Sequence, residues 1–532
     1  MANESYKVLI TDSLAEQGRA ILAASPQMHV EYQPGMKPDD IKKAIGGYDA
    51  LIVRSGTRAT ADIIEAGRNL KVIGRAGIGV DNIDVEAASK RGIVVMNTPG
   101  GNNVTTAEHA ITLLLAMARN IPQAVSSLRG GKWERNKFTG VEVFGKTLGV
   151  VGVGNIGSVV ADRAQGLKMK VVAYDPFLTA EAAARAGIEL VPLDELLARS
   201  DFISVHTPLT AETRGLIGRE AFAKMKKGVR IVNCARGGIV DEAALAEAIR
   251  DGRVAGAALD VFVEEPPAKN NPLLALDAVV VTPHLGASTD EAQINVAIAI
   301  AEQVVDFLTR GEVRAAVNFP NLSADRLVVL RPFLVLAEKV GALQAQMGPG
   351  APVEVDVEGS GDVAEQDMKA ITASVLKGLL SPMMDATVNY VNAPVIARER
   401  GIRVVELRSS LPSDFLNSLT VRVKRAHGET STVAGAVFGK KTLRIVRINK
   451  FYMEAVPEGY ILVLNNKDVP GVVGGVGTLL GKHGINIAGI ELGRDESGMA
   501  ISFFHVDEPV SSTVLAELRQ MPAVVSAQLV QL

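Results

Sequence analysis

Three polar side chains lie where they could act together on an alcohol. Arg236, Glu265 and His284 each come shortly after an apolar run that is typical of a buried strand. Ligands of open α/β sheets bind beyond the carboxyl ends of the strands, so we expect the three side chains to meet there. A histidine can take up a hydroxyl proton, a carboxylate beside it favours its protonated form, and an arginine can hold a substrate carboxylate through two hydrogen bonds. Spacing alone does not separate His284 from His206, which lies at the end of another predicted strand.

A glycine-rich turn marks a candidate dinucleotide site. It follows an apolar strand, opens a predicted helix and reads Gly152-Val153-Gly154-Asn155-Ile156-Gly157. Such glycines allow a tight turn, backbone approach to a pyrophosphate and close packing of the helix on the strand. Asp175 ends the next predicted strand, 18 residues past Gly157, close to the position of a group that binds ribose hydroxyls. An acid there repels the 2′-phosphate of NADP, so the sequence predicts NAD as the cofactor.

Two series of alternating strand and helix patterns must position these side chains. The first series contains four predicted strands, Lys7–Ile10, Ala50–Val53, Lys71–Gly74 and Ile93–Met96. A helix is predicted over Thr105–Arg119, and six more strands follow, Thr147–Val153, Lys170–Tyr174, Phe202–His206, Val229–Asn233, Ala255–Leu259 and Val279–Thr282. Because strands that alternate with helices form parallel sheets, we predict an α/β fold with two doubly wound, Rossmann-like sheets.

The pattern changes after Asn318-Phe319-Pro320, which follows a long predicted helix over residues 287–308. Residues 321–455 mix helix and strand patterns, which indicates an α+β domain. Pro457-Glu458-Gly459 marks the next boundary, and the later order of strand, helix, strand, strand, helix, strand predicts a ferredoxin-like domain. Its first strand is predicted at Gly459–Leu464, and Asn465–Gly471 is predicted to be the turn after it.

Composition and charge argue against several classes of partner. The formal net charge is -3 with both signs interspersed, so we predict no basic surface for nucleic acid. No signal sequence is predicted, and the apolar run Ile111–Ala118 is too short to span a membrane. The single cysteine, Cys234, cannot form an internal disulfide, which fits a reducing, cytoplasmic setting. We predict no metal site.

Three motifs resemble the D-2-hydroxyacid dehydrogenase family, and the resemblance covers residues 5–320. They are Asn233-Cys234-Ala235-Arg236-Gly237-Gly238, Leu259-Asp260-Val261-Phe262 with Glu264-Glu265-Pro266-Pro267, and Thr282-Pro283-His284-Leu285-Gly286-Ala287. The resemblance implies that Arg236, Glu265 and His284 are catalytic and that His206 lies in a cofactor-side loop. It also implies a substrate lobe of residues 1–100 and 288–320 around an NAD-binding lobe of residues 101–287.

The same resemblance implies a set of residues that contact NAD, with Asp260 facing the nicotinamide amide. These residues are Gly152, Gly154, Asn155, Ile156, Gly157, Asp175, Thr207, Cys234, Ala235, Arg236, Asp260, His284 and Gly286.

Over its whole length the chain resembles the long members of this family, which implies 3-phosphoglycerate as the substrate. The loops Arg75–Asn82 and Asn97–Asn102 match the substrate and hinge loops, although Ile78 stands where some relatives carry a small polar residue. The residues expected to hold the phosphorylated acid are Arg54, Ser55, Gly56, Arg75, Gly77, Asn102, Arg135 and Arg236. Arg135 follows the sole tryptophan, Trp133, in a stretch that by resemblance reaches the neighbouring subunit's cleft, which implies a homodimer or homotetramer.

The two C-terminal segments also resemble domains of the long members of this family. Residues 321–455 fit the intervening domain of the long members, and residues 456–532 resemble an ACT regulatory domain. In ACT domains of this kind, side chains from the first turn and an asparagine before the second strand hold an amino acid between two domains. Here these are Asn466, Asp468 and Asn486, and the implied effector is L-serine. The alternative is that these residues only form turns, which Asn and Asp favour.

Two other functions are compatible with the motifs. A glyoxylate or hydroxypyruvate reductase would act on unphosphorylated acids. An NAD-sensing corepressor or scaffold could keep the same fold and the same three polar residues, because a fold does not fix a function. The ACT-like tail favours a dehydrogenase for a phosphorylated acid over both.

Overall fold

The first lobe is built on a parallel sheet of five strands. The computed structural model describes residues 5–320, 324–348, 350–384, 388–409, 417–439 and 441–532. The strands are β1 (Tyr6–Ile10), β2 (Met28–Tyr32), β3 (Ala50–Val53), β4 (Val72–Arg75) and β5 (Val94–Met96), in the order β2-β1-β3-β4-β5. The helices are α1 (Glu16–Ala24), α2 (Pro38–Ala44), α3 (Ala61–Ala66) and α4 (Val85–Lys90). We predicted only four strands, because the edge strand β2 is mostly solvent-facing and lacks an apolar run.

The second lobe is built on a parallel sheet of seven strands, which α5 (Asn103–Ala118) and α6 (Ile121–Arg129) precede. The strands are β6 (Thr147–Val151), β7 (Lys170–Tyr174), β8 (Glu189–Leu190), β9 (Phe202–Val205), β10 (Val229–Asn233), β11 (Val254–Leu259) and β12 (Val279–Val281), in the order β12-β11-β10-β9-β6-β7-β8. The helices are α7 (Asn155–Gly166), α8 (Ala180–Arg185), α9 (Leu193–Arg199), α10 (Arg219–Lys224) and α11 (Glu242–Arg250). The strand order reverses between β6 and β9, where such sheets open a ligand crevice. The strand that we did not predict, β8, has only two residues.

The long helix α12 (Asp290–Arg310) returns the chain to the first lobe, where it packs on α1 and β4. Beyond it, the Asn318 side-chain oxygen accepts a hydrogen bond from the Val95 amide at 2.9 Å. The predicted fold class of two doubly wound lobes, one of them discontinuous, is confirmed. Among the described helices, α12 alone is long and apolar enough to cross a membrane, but half of its most apolar window is buried inside the protein.

The intervening domain packs helices against a mixed sheet of six strands. The strands are β13 (Pro352–Ser360), β14 (Arg403–Ser409), β15 (Ser418–Arg425), β16 (Thr430–Phe438), β17 (Thr442–Ile448) and β18 (Phe451–Ala455), in the order β14-β13-β15-β16-β17-β18. The helices are α13 (Ala324–Gln346), α14 (Asp362–Glu365), α15 (Met368–Leu380) and α16 (Ala393–Glu399). Its core continues into the next domain through Ile461, Val463 and Phe503.

The C-terminal domain has the predicted ferredoxin-like order. Its elements are β19 (Tyr460–Lys467), α17 (Val472–Lys482), β20 (Ile487–Arg494), β21 (Met499–Val506), α18 (Ser512–Arg519) and β22 (Val524–Gln531), with the sheet order β20-β21-β19-β22. Our turn prediction for Asn465–Gly471 was wrong in its first half, because β19 continues to Lys467. β19 is paired on both sides, with β21 and β22, and this backbone pairing outweighs the preference of asparagine for turns.

Candidate active site

The predicted acid–base pair is formed beyond the carboxyl ends of β11 and β12. His284 Nδ1 lies 2.7 Å from Glu265 Oε2, and the Phe262 amide donates to Glu265 Oε1 at 3.1 Å. Burial would raise the pKa of Glu265, but the hydrogen bonds from His284 and the Phe262 amide hold that pKa below its usual value. Glu265 is therefore a carboxylate at neutral pH, and His284 carries a proton on Nδ1.

The other candidate histidine has a different environment. His206 Nε2 lies 2.7 Å from the hydroxyl of the buried Ser204, and its Nδ1 is buried without a hydrogen-bond partner. Burial lowers the pKa of His206 to about 4, so it is neutral at physiological pH. Since a carboxylate adjoins His284 and not His206, the geometry favours His284 as the group that exchanges protons.

Arg236 lies where the two lobes meet. Its Nε donates to Asp81 Oδ2 of the first lobe at 2.8 Å, and its Nη1 donates to the Ala235 carbonyl at 2.7 Å. A Cβ built on Gly79 would lie 1.6 Å from Arg236 Nη2, so only glycine leaves room for this guanidinium. These contacts fix the plane of the guanidinium, as recognition of a carboxylate by two parallel hydrogen bonds requires.

Two further arginines from the first lobe add positive charge to this region. Arg54 Nη1 donates to the Ser13 hydroxyl at 3.3 Å, and its backbone amide donates to Asp12 Oδ2 at 2.6 Å. Burial, together with the charges of Arg236 and Arg54, lowers the pKa of Arg75 to about 10. Arg75 therefore stays protonated at neutral pH, and its buried Nε has no hydrogen-bond partner.

The smaller predicted substrate residues lie in the loops beside these arginines. Ser55 and Gly56 are exposed after β3, and Gly77 packs against the Arg75 guanidinium after β4. Asn102 precedes α5, and its buried Oδ1 has no hydrogen-bond partner. A buried acceptor without a hydrogen bond lowers the stability of the protein. A bound ligand that donates to the Asn102 oxygen would remove this cost.

The glycine-rich turn has the geometry that a dinucleotide needs. Gly152 has φ +91°, and Gly154 is the residue before α7, with open space where a Cβ would be. A Cβ on Gly157 would lie 2.0 Å from the Gly152 carbonyl oxygen, so the helix can approach the strand only at glycine. The Thr207 hydroxyl is buried beside this turn without a partner. The free amides at the start of α7 suit a pyrophosphate.

The remaining residues predicted to contact NAD line the same edge of the sheet or lie just beneath it. Asn155 is exposed at the start of α7, and Ile156 and Ala235 are half-buried. Cys234 and Gly286 are buried, and burial raises the pKa of the Cys234 thiol. The Asp260 carboxylate is fully buried and accepts from the Leu285 and Gly286 amides at 2.7 and 2.8 Å, so its contact with the nicotinamide stays a prediction.

Replacing Asp175 with asparagine should narrow the preference for NAD over NADP by about tenfold or more. The Asp175 carboxylate accepts hydrogen bonds from the Val153 and Phe177 amides, both at 2.8 Å, and so stands beside the glycine-rich turn. Asparagine keeps an acceptor for one of these amides and removes the charge that repels a 2′-phosphate. The ratio of kcat/KM for the two cofactors measures the effect, since a tenfold change corresponds to about 1.4 kcal/mol. An unchanged ratio would remove Asp175 from cofactor selection.

The three predicted effector residues are not brought together within one chain. Asp468 pairs with Arg494 at 2.6 Å at the end of β20, whereas Asn486 precedes β20 and donates to Asp507 at 2.7 Å. Eight residues of strand separate the two, or about 25 Å. A small ligand that touches both must therefore bind between two copies of the domain.

The third predicted effector residue, Asn466, requires a correction. It is 2% exposed, and its side-chain oxygen accepts from the Ser502 hydroxyl at 2.8 Å inside the sheet. It lies in β19 and not in the turn, because the central strand continues past it, and its amide donates to the Lys467 carbonyl at 2.9 Å.

Two further residues of the active-site region could not be identified from the sequence. Asp81 holds Arg236, and its place in the Arg75–Asn82 loop was the only available signal. His109, on α5, lies 3.2 Å from Asp260 Oδ1 and 3.2 Å from the Thr282 hydroxyl. No local motif reveals this contact, because it joins α5 to residues more than 150 positions away.

Three family profiles match consecutive parts of the chain. Residues 111–286 match the NAD binding domain of D-isomer specific 2-hydroxyacid dehydrogenases. Residues 329–449 match the D-3-phosphoglycerate dehydrogenase intervening domain, and residues 460–523 match the ACT domain. The chain is thus an NAD-dependent dehydrogenase with a regulatory-type C-terminal domain.

Relatives of known name match over the whole length. The chain is 46% identical to D-3-phosphoglycerate dehydrogenase of Archaeoglobus fulgidus, over 99% of this chain and 100% of the relative. It is 42% identical to the Bacillus subtilis protein of the same name, again over 99% and 100%. Among solved structures, the NAD+-bound 3-phosphoglycerate dehydrogenase of Entamoeba histolytica is 35% identical with a TM-score of 0.51, covering 60% of this chain and 100% of its own. A glyoxylate reductase from Paecilomyes thermophila is 33% identical with a TM-score of 0.54, covering 59% and 98%. The two solved structures match only part of this chain, whereas the named relatives match almost all of it. The chain therefore belongs to the D-3-phosphoglycerate dehydrogenase family.

Proposed function

We propose that the protein oxidises 3-phosphoglycerate to 3-phosphohydroxypyruvate with NAD, in the cytoplasm, as the first step of the phosphorylated route to L-serine. The observation that carries the proposal is that the charges of Arg54 and Arg236 act on Arg75, while Arg236 follows β10, the strand paired with β11, beyond which the His284–Glu265 pair lies. The substrate carries a carboxylate and a phosphate, and this cleft offers more cations than a carboxylate alone requires. Arg75 is the strongest sign, because its guanidinium is mostly buried and the positive charges of Arg236 and Arg54 both act on it.

The residues of the cleft divide the reaction between them. The bound cofactor supplies the acceptor for the hydride from C2 of the acid. Arg236 orients the substrate carboxylate, since Asp81 and the Ala235 carbonyl already fix its guanidinium. His284 takes the hydroxyl proton on Nε2, because Nδ1 is occupied by the hydrogen bond to Glu265. Glu265 then stabilises the positive imidazolium.

A substrate panel tests the proposal against the other functions. We expect kcat/KM with NAD to be highest for 3-phosphoglycerate and far lower for unphosphorylated D-glycerate. Faster reduction of glyoxylate or hydroxypyruvate than of 3-phosphohydroxypyruvate would favour a reductase. Absence of turnover with every acid, despite NAD binding, would favour a sensor or scaffold.

Replacing Arg54 with methionine should raise KM for 3-phosphoglycerate by about ten- to a hundredfold, the value of one charge-assisted hydrogen bond. The effect on an unphosphorylated acid should be much smaller, because the lost charge serves the phosphate. Arg58→Met is a matched control, since Arg58 is an exposed arginine of the same loop. An equal rise in KM for both acids would mean that Arg54 acts only on the structure of its loop.

The proposed active form is a homodimer or homotetramer in which Arg135 serves the neighbouring cleft. Arg135 is exposed, and Trp133 beside it is 83% exposed. The preceding helix α6 also presents Ile121, Val125 and Leu128 to solvent. Large apolar side chains clustered on a surface favour contact with a second chain, and α6 supplies such a cluster next to Arg135.

L-serine is the proposed effector, bound between two C-terminal domains by Asp468 of one copy and Asn486 of the other. Serine at millimolar concentration should bind the full-length enzyme and lower its turnover, and Asn486→Ala should weaken both effects by about tenfold, the value of one polar contact. Glycine and phosphoserine test selectivity, and Gln520→Ala is a control in the same domain. Serine inhibits only if it binds a less active arrangement of the domains with higher affinity than the active one. Absence of both binding and inhibition would reduce this domain to an assembly module.

A further inference from the structure

His109 belongs to a buried polar cluster directly beneath the catalytic histidine. Its ring is mostly buried on α5, and Nε2 lies 3.2 Å from Asp260 Oδ1 and 3.2 Å from the Thr282 hydroxyl. The Asp260 side chain is fully buried. A buried carboxylate without compensating donors would be costly, so each donor to Asp260 matters.

The hydrogen positions in this cluster follow from its geometry. Thr282 has one hydroxyl proton, and it donates that proton to Asp260 Oδ1 at 2.6 Å. Toward His109 the Thr282 oxygen can then only accept, and a carboxylate also only accepts. His109 must therefore carry a proton on Nε2 and share it between Asp260 and Thr282.

Asp260 in turn holds the turn that carries His284. Its two oxygens accept from the Leu285 amide at 2.7 Å and from the Gly286 amide at 2.8 Å, and its carbonyl accepts from the His284 amide at 3.0 Å. His284 has φ +55°, in the left-handed region that residues other than glycine rarely adopt. Such a conformation persists only where the surroundings fix it, and here Asp260 supplies three of the fixing contacts.

We propose that His109 is a positioning residue for the catalytic histidine, acting through the Asp260 carboxylate. His109 donates from α5 to Oδ1, the same oxygen that accepts from the Leu285 amide, and so helps to set the direction in which the carboxylate faces the Leu285 and Gly286 amides. The effect on turnover rests on the proposed dehydrogenase function, but the effect on the turn does not.

The charge balance around Asp260 gives this role a pH signature. The ionisable groups that face Asp260 are His109 on α5, Cys234 after β10, and Glu265 and His284 in the loops beyond β11 and β12. Burial would raise the pKa of Asp260, but His109, Thr282 and the Leu285 amide hold it below its usual value. Without His109, Asp260 should take up a proton at a higher pH, and activity should be lost at a higher pH on the acid side.

His109→Leu and His109→Gln separate positioning from packing. Both fill the site, but only glutamine retains an N–H donor at a similar reach. We expect His109→Leu to lower kcat by about tenfold or more, as expected for a shift of a catalytic group, with little change in KM for NAD. His109→Gln should recover most of kcat and return the acid limb toward wild type. His483→Leu is the control, because His483 pairs with Glu517 at 3.1 Å in the C-terminal domain and not in the lobes that form the cleft.

Hydrogen exchange provides a second readout that needs no turnover. In His109→Leu the peptide with the Leu285 and Gly286 amides should exchange several-fold faster than in wild type, and in His109→Gln close to the wild-type rate. An unchanged exchange rate in His109→Leu would overturn the proposal. An equal loss of kcat in His109→Leu and His109→Gln would also overturn it. An inactive wild-type enzyme that shows the expected exchange pattern would refute the proposed function and leave the positioning role supported.

Discussion

His284→Ala should lower kcat for oxidation of 3-phosphoglycerate by at least about 10²-fold, the usual contribution of a positioned acid–base group. The expectation rests on the 2.7 Å contact between His284 Nδ1 and Glu265 Oε2, which leaves Nε2 for the substrate hydroxyl. NAD affinity should change little, because the glycine-rich turn and Asp175 remain. Steady-state kinetics with both ligands varied separates the two effects.

A companion variant tests the pair and not only the histidine. Glu265→Gln keeps a hydrogen-bond acceptor for His284 Nδ1 but removes the negative charge that supports the protonated imidazole. Because the pKa of Glu265 lies below its usual value, the wild-type carboxylate is charged throughout the neutral range. The variant should therefore be slower than wild type, and the acid limb of kcat/KM for oxidation should move to lower pH. Near-normal kcat in His284→Ala would remove His284 from this role.

Arg236→Lys should lower kcat/KM for 3-phosphoglycerate by at least about 10²-fold. Lysine keeps the charge but loses the planar pair of donors, and each charge-assisted hydrogen bond contributes roughly 1.5–3 kcal/mol. It also loses the bond to Asp81 and the contact with Gly79 that orient the arginine. KM for NAD should change much less than KM for the acid, and the kinetics of the two ligands measure this difference.

Asp81→Asn is a milder change that tests the same contact without altering Arg236. It keeps the guanidinium and its charge but weakens the hydrogen bond that fixes its plane, so the loss in kcat/KM should be smaller, about tenfold. A lysine variant as active as wild type would show that Arg236 acts as a general positive charge. A lower kcat/KM for Asp81→Asn than for Arg236→Lys would show that Asp81 has a separate role.

The sequence predicted the elements with strong apolar patterns and missed those without them. The buried parallel strands and α12 were found because their interior faces are continuous runs of aliphatic residues. β2 and β8 lie at sheet edges, where polar residues are tolerated and the pattern is lost. Asn466 was misplaced because turn preference is local, whereas its position in β19 is decided by pairing with two other strands.

The active site shows the same division. Arg236, Glu265 and His284 could be proposed because each follows a strand of one sheet, so the topology predicts where they meet. Asp81 and His109 contact this set from other elements, and nothing in their local sequence indicates the contact. The effector prediction was limited for a related reason, since Asp468, which pairs with Arg494, and Asn486 lie near opposite ends of β20 and are not brought together within one chain.

The proposed mechanism requires that a hydride pass from C2 of 3-phosphoglycerate to NAD while His284 takes the hydroxyl proton. The most direct measurement uses 3-phosphoglycerate that carries deuterium at C2, with the reduced cofactor analysed by mass spectrometry. We expect the deuterium on the nicotinamide ring of the reduced cofactor, with one deuterium for each molecule of 3-phosphohydroxypyruvate formed. Deuterium released into water, or no reduction of NAD by this acid, would contradict it.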